Sequence, residues 1–260
     1  DTNAQDEIHA VKTNVDCLTI KSGRFMAAVS KSGEYETVFS DGSKKSFRAE
    51  VPEDIQLPVW SLEVEDWNEG EKKTIVEDRG LGIVTNEVYY ETKKTLLPVG
   101  ETELKPWREM EKAGPQVSGI GRYKTRITIP EAWEENQGAL LKIESTNGHS
   151  AAVYVNGKKA KPFDFDALAV DISDLLQSGE NEICVEVASS LNNRLMARGY
   201  YEKGREFSKQ LSDNANNAVD GSAENREEDN RSDIFDIHPV VRDYGMTGEV
   251  KLIRYIRKEI

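Results

Sequence analysis

Aromatic, amide, guanidinium and carboxylate side chains come together at four places along the chain. These are Trp107, the Gly119–Arg122 turn, Leu191-Asn-Asn-Arg-Leu195 and Asp243-Tyr244. An aromatic face stacks on the apolar C–H face of a sugar ring, while Asn, Asp and Arg hold its hydroxyls. A site of that kind needs few polar groups, well placed. Arg194 adds a forked guanidinium that matches a carboxylate. All four segments flank strong strand signals, so rigid elements would hold them. Loops at one end of a sandwich also gather in space although distant in sequence. The candidate binding set is therefore Trp107, Arg122, Asn192, Asn193, Arg194, Asp243 and Tyr244, with Trp107 as the stacking face and Asn193 and Arg194 as donors. On that reading, truncating Trp107 weakens binding by about 1–3 kcal/mol and leaves the domain folded. Each residue also has a plainer reading. Trp107 can be core or interface, as can Tyr200 and Tyr201. Leu191–Leu195 can be a strand-end turn satisfied by its own side chains.

Other chemistries find less support. Glycoside hydrolysis needs two carboxylates held across a sugar; among 47 Asp and Glu residues no pattern picks out a pair, and no catalytic residue is assigned. His9, His149 and His238 are not spaced as metal ligands, and there is no Cys-x-x-Cys, so no metal ligand set is assigned. His149 follows Asn147-Gly148 and reads as an exposed turn residue. Gly119-Ile-Gly121 precedes a strand, not a helix, and is no dinucleotide signature. Cys17 and Cys184 read as two free thiols packed as small hydrophobes. A net charge of −13 argues against nucleic acid or an anionic membrane as the main partner. No apolar run approaches the roughly 20 residues that span a bilayer. The polar, acidic start without an initiator Met suggests a processed or excised fragment and leaves the compartment open, secreted or cytoplasmic.

The elements that must position these residues are strands. Glu34–Phe39 alternates, turns at Asp41-Gly42 and returns through Ser46–Val51, a hairpin pattern. Cys17–Lys21 and Arg24–Val29 are also strand-like, and Pro52 and Pro58 bracket a linker. This first part, residues 1–57, reads as a small β-module too thin to be stable without a neighbour. The second part, residues 58–260, opens with Trp60, Leu62 and Val64 on one strand face. After a polar stretch to about Leu97 come strands over Arg122–Ile129, Ala139–Ile143, Ala151–Val155, Glu182–Val187 and Gly248–Tyr255. Tyr123, Thr125, Ile127 and Ile129 share a face, and Trp60 and Tyr123 are expected in the core. Asn156-Gly157 marks a tight turn. Glu202–Asp233 is nearly devoid of large apolar residues and reads as a long loop with a helical turn near Glu202–Leu211. Together these signals predict an all-β protein, a jelly-roll sandwich preceded by the small module.

The chain resembles β-sandwich modules attached to glycoside hydrolases: the family 2 sugar-binding domain and the C-terminal domain of α-L-rhamnosidase-like enzymes. The resemblance rests on Trp60–Trp67, Leu104-Lys-Pro-Trp107, Gly119–Tyr123, Val153-Tyr-Val-Asn-Gly157, Asp171–Leu176, Gly179-Glu-Asn181, Leu191–Leu195 and Tyr244-Gly-Met-Thr-Gly248. Each piece is weak alone; their order and spacing carry the match. The stretch from Leu195 to Tyr244 is longer than the family pattern, and no repeated strand–helix units of a catalytic barrel are present. The resemblance implies a galactose-binding-like fold and a non-catalytic accessory portion of a bacterial glycoside hydrolase. Its partners would be carbohydrate and the catalytic domain of the parent enzyme. A purely structural module without sugar affinity, or a fragment that itself contributes to hydrolysis, stays open. The resemblance also implies no cofactor beyond a structural calcium, for which Asp164, Asp166 and Asp171 are close in sequence.

Overall fold

Nearly every alternating segment forms a strand. The computed structural model describes residues 8–130, 132–163, 167–218 and 239–260. The first strands are β1 (Ala10–Thr13), β2 (Cys17–Lys21), β3 (Arg24–Val29), β4 (Gly33–Phe39), β5 (Lys44–Ala49) and β6 (Ile55–Gln56). Next come β7 (Trp60–Asp78), β8 (Val84–Thr102), β9 (Gly119–Ile129), β10 (Gln137–Ser145) and β11 (Ser150–Val155). The last are β12 (Lys158–Lys159), β13 (Ala169–Asp171), β14 (Gly179–Ala188) and β15 (Thr247–Glu259). Among the described residues, two helices, α1 (Asn192–Ala197) and α2 (Tyr200–Ala218), lie between β14 and β15.

Two six-stranded sheets form a sandwich. One runs β13-β10-β15-β3-β2, with β6 also paired to β15; the other runs β12-β11-β14-β9-β7-β8. Side chains alternate across each strand, so each sheet turns one set inward. From the second sheet come Trp60, Leu62, Val64, Tyr123, Ile127, Ile129, Val153, Val155, Ile183, Val185 and Val187; from the first come Ala139, Leu141, Ile143, Val170, Val250 and Leu252, all buried. The all-β sandwich expected from the sequence is the fold observed. The Asn156-Gly157 turn takes φ of 51° and 76° between the paired Val155 and Lys158. That is the type I′ geometry a two-residue hairpin requires and that Asn-Gly tolerates.

Residues before Pro58 add a three-stranded sheet, β1-β4-β5. The hairpin β2–β3 instead joins the sandwich, because β3 pairs with the end of β15 from Val29↔Ile256 to Met26↔Glu259. Ala27, Val29, Phe39 and Ala49 are buried there, outside the sandwich core. The Phe25 and Phe39 rings meet at 4.6 Å.

Several local expectations are corrected. Leu191–Leu195 is not a strand-end turn, since Asn192–Ala197 is helical. The region expected as a loop from Glu202 is helix α2 as far as Ala218; residues 219–238 lie outside the described residues. The polar stretch before Leu97 is a hairpin of two 19-residue strands. Cys17 is exposed on edge strand β2, while Cys184 is half-buried, and both are free. His149 is half-buried, with its ring 4.8 Å from that of Tyr244.

Candidate functional site

Most of the loop-end set does come together, but much of it faces inward. Trp107 opens a short 3-10 turn (Trp107–Glu109), and its backbone N–H donates to the Tyr244 carbonyl at 3.0 Å. Its indole N–H donates to the Tyr123 hydroxyl at 2.7 Å, and its ring meets Tyr244 edge-on at 5.9 Å. Trp107 and Tyr244 are each only 1% exposed. The indole expected as an open stacking face is thus enclosed. Gly121 and Gly245 make room for it: a Cβ on Gly121 would sit 2.4 Å from the indole, and one on Gly245 2.3 Å from the Tyr123 hydroxyl.

Helix α1 brings its polar residues to the same end. Buried Asn193 donates its side-chain amide to the Arg242 carbonyl and accepts from the Arg242 N–H, both at 2.9 Å. Its backbone N–H donates to the Tyr244 hydroxyl at 3.2 Å. Asn192 donates to the Val240 carbonyl at 2.9 Å. Arg194 grips both oxygens of Asp66 at 2.6 Å, and Arg108 lies 2.5 Å from Asp243. Arg122 stands apart, on the outer face of the second sheet between Glu65 (3.3 Å) and Glu186 (2.9 Å). There Glu65 also accepts from the Trp67 indole at 2.9 Å and pairs with Lys94 at 3.0 Å. Those hydrogen bonds, from Trp67 first and then Lys94, hold its pKa down to about 2.

An open concavity lies elsewhere, on the outer face of the first sheet. Alternation on β15 turns Val250 and Leu252 into the core and puts Ile253, Tyr255 and Arg257 on the opposite face. Leu140 of β10 and Ala28 and Met26 of β3 share that face through their register with Ile253, Arg257 and Glu259. They form the apolar floor of a groove of about 460 Å³, walled by Asp16 and Cys17 on one side and Asp171 on the other. A second hollow of about 540 Å³ continues it past Arg257 to Trp133, Gln137 and Asp174. Both volumes fall in the range of small-molecule sites.

One carboxylate organises the polar wall. Asp171 Oδ2 accepts from the Tyr255 hydroxyl at 2.6 Å and from Arg257 at 3.3 Å. Its Oδ1 accepts from the backbone N–H of Ser173 at 2.9 Å and from the Ser173 hydroxyl. Arg257 also donates to the Tyr255 oxygen at 2.6 Å. The Tyr255 ring lies directly on Gly138, where a Cβ would stand 2.0 Å from its Cζ. Burial pushes the Asp171 pKa up, but donors from Ser173 and Tyr255, with the Arg257 charge, outweigh it and leave it lowered. Burial first, then the bond to Asp171, raises the Tyr255 pKa. Tyr255 therefore stays protonated and Asp171 ionised around neutrality. The trio offers fixed hydrogen-bonding groups rather than a proton to exchange.

Trp133 completes the rim. Its indole N–H donates to the Ser173 carbonyl at 3.0 Å, and the Arg254 guanidinium lies 5.4 Å from its ring centre. Sequence reasoning named Asp171 only as a calcium candidate and missed Trp133, Tyr255 and Arg257. The signal was present in the i, i+2 spacing of Ile253, Tyr255 and Arg257 on the last strand. The calcium reading does not fit Asp171, whose oxygens are filled by donors beside a guanidinium; Asp164 and Asp166 lie outside the described residues. Among the described residues there is no cluster of His, Cys, Asp and Glu able to hold a metal. None of their helices is long and apolar enough to cross a membrane.

No family model and no curated protein matches the chain. Among solved structures it is similar to a rhamnosidase from Novosphingobium sp. PP1Y (13% identity, 95% of this chain, 24% of that one, TM-score 0.38). It is also similar to a β-glucuronidase of Faecalibacterium prausnitzii (14% identity, 81% of this chain, 32% of that one, TM-score 0.36). A third is a β-D-glucuronidase of Dictyoglomus thermophilum (20% identity, 54% of this chain, 20% of that one, TM-score 0.32). All three are glycoside hydrolases. The chain spans between a fifth and a third of their length.

Proposed function

We propose that this chain is a non-catalytic, carbohydrate-binding portion of a larger glycoside hydrolase, and that it takes its ligand in the groove on the outer face of the first sheet. The observation that carries this reading is the pairing of an apolar floor (Leu140, Ile253, Ala28, Met26) with a fixed polar wall (Asp171, Tyr255, Arg257). A sugar presents an apolar C–H face and a ring of hydroxyls, and both surfaces have a counterpart here. The Arg257 nitrogens other than Nη2 donate to a ligand hydroxyl, while Asp171 and Tyr255 hold the guanidinium in place. The trio's protonation states favour holding a ligand over transforming it.

Titration calorimetry of the whole chain against rhamnose, galactose and plant oligosaccharides tests the proposal. Binding is expected, with Arg257→Ala weakening it about tenfold or more, as loss of a charged hydrogen-bond donor does. Tyr255→Phe should weaken it less, because the ring stays on the floor. If binding survives Arg257→Ala but is lost in Asn192→Ala or Arg108→Ala, the ligand sits at the loop end. No heat with any sugar supports a structural module that packs against a catalytic domain.

A further inference from the structure

Strands β7 and β8 outrun the sandwich. Pairing of β7 with β9 stops at Asp66, yet β7 and β8 stay paired to Asp78↔Val84. The 12 residues from Trp67 to Asp78 reach about 40 Å along a two-stranded arm at the usual rise per residue. Strand β8 is the edge of its sheet. The one irregularity within the arm, between Glu69 and Lys72, places its extra residue on β7, so β8 runs unbroken from Val84 to Pro98. Such an edge offers a row of unpaired N–H and C=O groups, and a two-stranded ribbon alone is marginally stable in water. Its side chains add a second signal. Val84, Val88, Tyr90 and Leu96 fall on one face of β8 by alternation, and each is between 54% and 57% exposed.

We propose that β8 pairs antiparallel with β8 of a second copy of this chain, about a two-fold axis at Tyr90, to give a four-stranded ribbon. The sequence of the edge selects this occupant and this register. A two-fold pairing sets residue i opposite residue 180 − i when it is centred on Tyr90. Glu87 then faces Lys93 of the copy, and Lys93 faces its Glu87. Val84 meets Leu96, Val88 meets Thr92, and the two Tyr90 rings adjoin. Moving the centre one residue either way sets Glu87 against Glu91, or Glu91 against itself, and like charges directly opposite are unfavourable. Among the described residues Glu87 and Lys93 make no ion pair within their own chain. They stand six residues apart on one strand, about 20 Å, too far to meet each other. The contact is isologous and closes at two copies, so it gives a dimer and not a filament.

Sedimentation of the whole chain over roughly 1–100 μM should show a concentration-dependent dimer. Glu87→Lys and Lys93→Glu should each weaken it about tenfold or more, since each swap turns two attractive pairs repulsive. The double variant should restore dimerisation, which a merely local effect on the arm would not do. Tyr90→Cys in a Cys17→Ser background should form a disulfide-linked dimer under mild oxidation. Residues directly opposite in such a ladder lie about 4.5–5.5 Å apart between Cα atoms, within disulfide reach. Thr92→Cys in the same background should not, because its copy is about 13 Å away. A chain that stays monomeric across the range overturns the proposal, as does a dimer indifferent to both charge swaps.

Discussion

At the scale of single residues, the type of a side chain proved a poor guide to which way it faces. Trp107, preceded by Pro and followed by charged residues, carries the marks of an exposed platform, yet it is sealed between Gly121, Gly245, Tyr123 and Tyr244. What admits it is the absence of two Cβ atoms on segments far away in sequence, a fact that no local pattern carries. Trp107→Ala should therefore cost about 3–5 kcal/mol, as removal of a buried aromatic does, and also leave the Tyr123 hydroxyl one partner short. Chemical denaturation would measure this; a loss under 1 kcal/mol would mean the ring is not core. Glu65 supports a second expectation. Its folded pKa of about 2 lies below the ordinary value of 4.5. The stability it contributes is thus fully present above pH 4.5 and is lost as pH falls toward 2. Glu65→Gln should lower stability at neutral pH and flatten its decline between pH 4.5 and 2. Denaturant midpoints at several pH values would show parallel curves if the Trp67, Lys94 and Arg122 contacts do not matter.

At the scale of elements, alternation was the reliable signal, because a strand with one buried face must repeat every second residue. Trp60-Leu62-Val64 and Tyr123-Ile127-Ile129 are buried on one face as their spacing demands. Where an element lacks a buried face, the signal fails. The arm of β7 and β8 meets solvent on both sides, so Lys72, Lys73, Glu77, Glu87 and Glu91 occupy positions that apolar residues would otherwise fill, and the segment reads only as a polar stretch. Helix α2 was obscured in the same way, since its polar residues look like loop composition. Helix α1 is only six residues long, and the Asn residues that favour turns in isolation there bond across to Val240 and Arg242. The groove was hidden for a different reason. Its residues share a sheet face only after β3, β10, β13 and β15 have paired across the chain.

At the scale of the molecule, one sheet runs across the boundary expected near residue 58. Phe39 and Ala49 pack apart from the sandwich, whereas β3 hydrogen-bonds to β15. The groove straddles that junction: Asp16, Cys17 and Met26–Ser30 supply one side, and Leu140, Asp171, Ile253, Tyr255 and Arg257 the other. Residues 58–260 keep every residue of the sandwich core except Leu57, together with the Asp171–Tyr255–Arg257 trio and all four tryptophans. They should fold cooperatively alone, with near-UV circular dichroism close to that of the full chain. Residues 1–57 hold only a thin three-stranded sheet and a hairpin and should stay unfolded. If the groove binds the ligand, the 58–260 fragment should be folded yet lose most affinity, because Met26 and Ala28 are gone from the floor and the Ile256–Glu259 edge is bare. Calorimetry on that fragment separates the possibilities. Undiminished affinity in a folded 58–260 chain would show that the first module contributes no wall, and would move the ligand away from the junction.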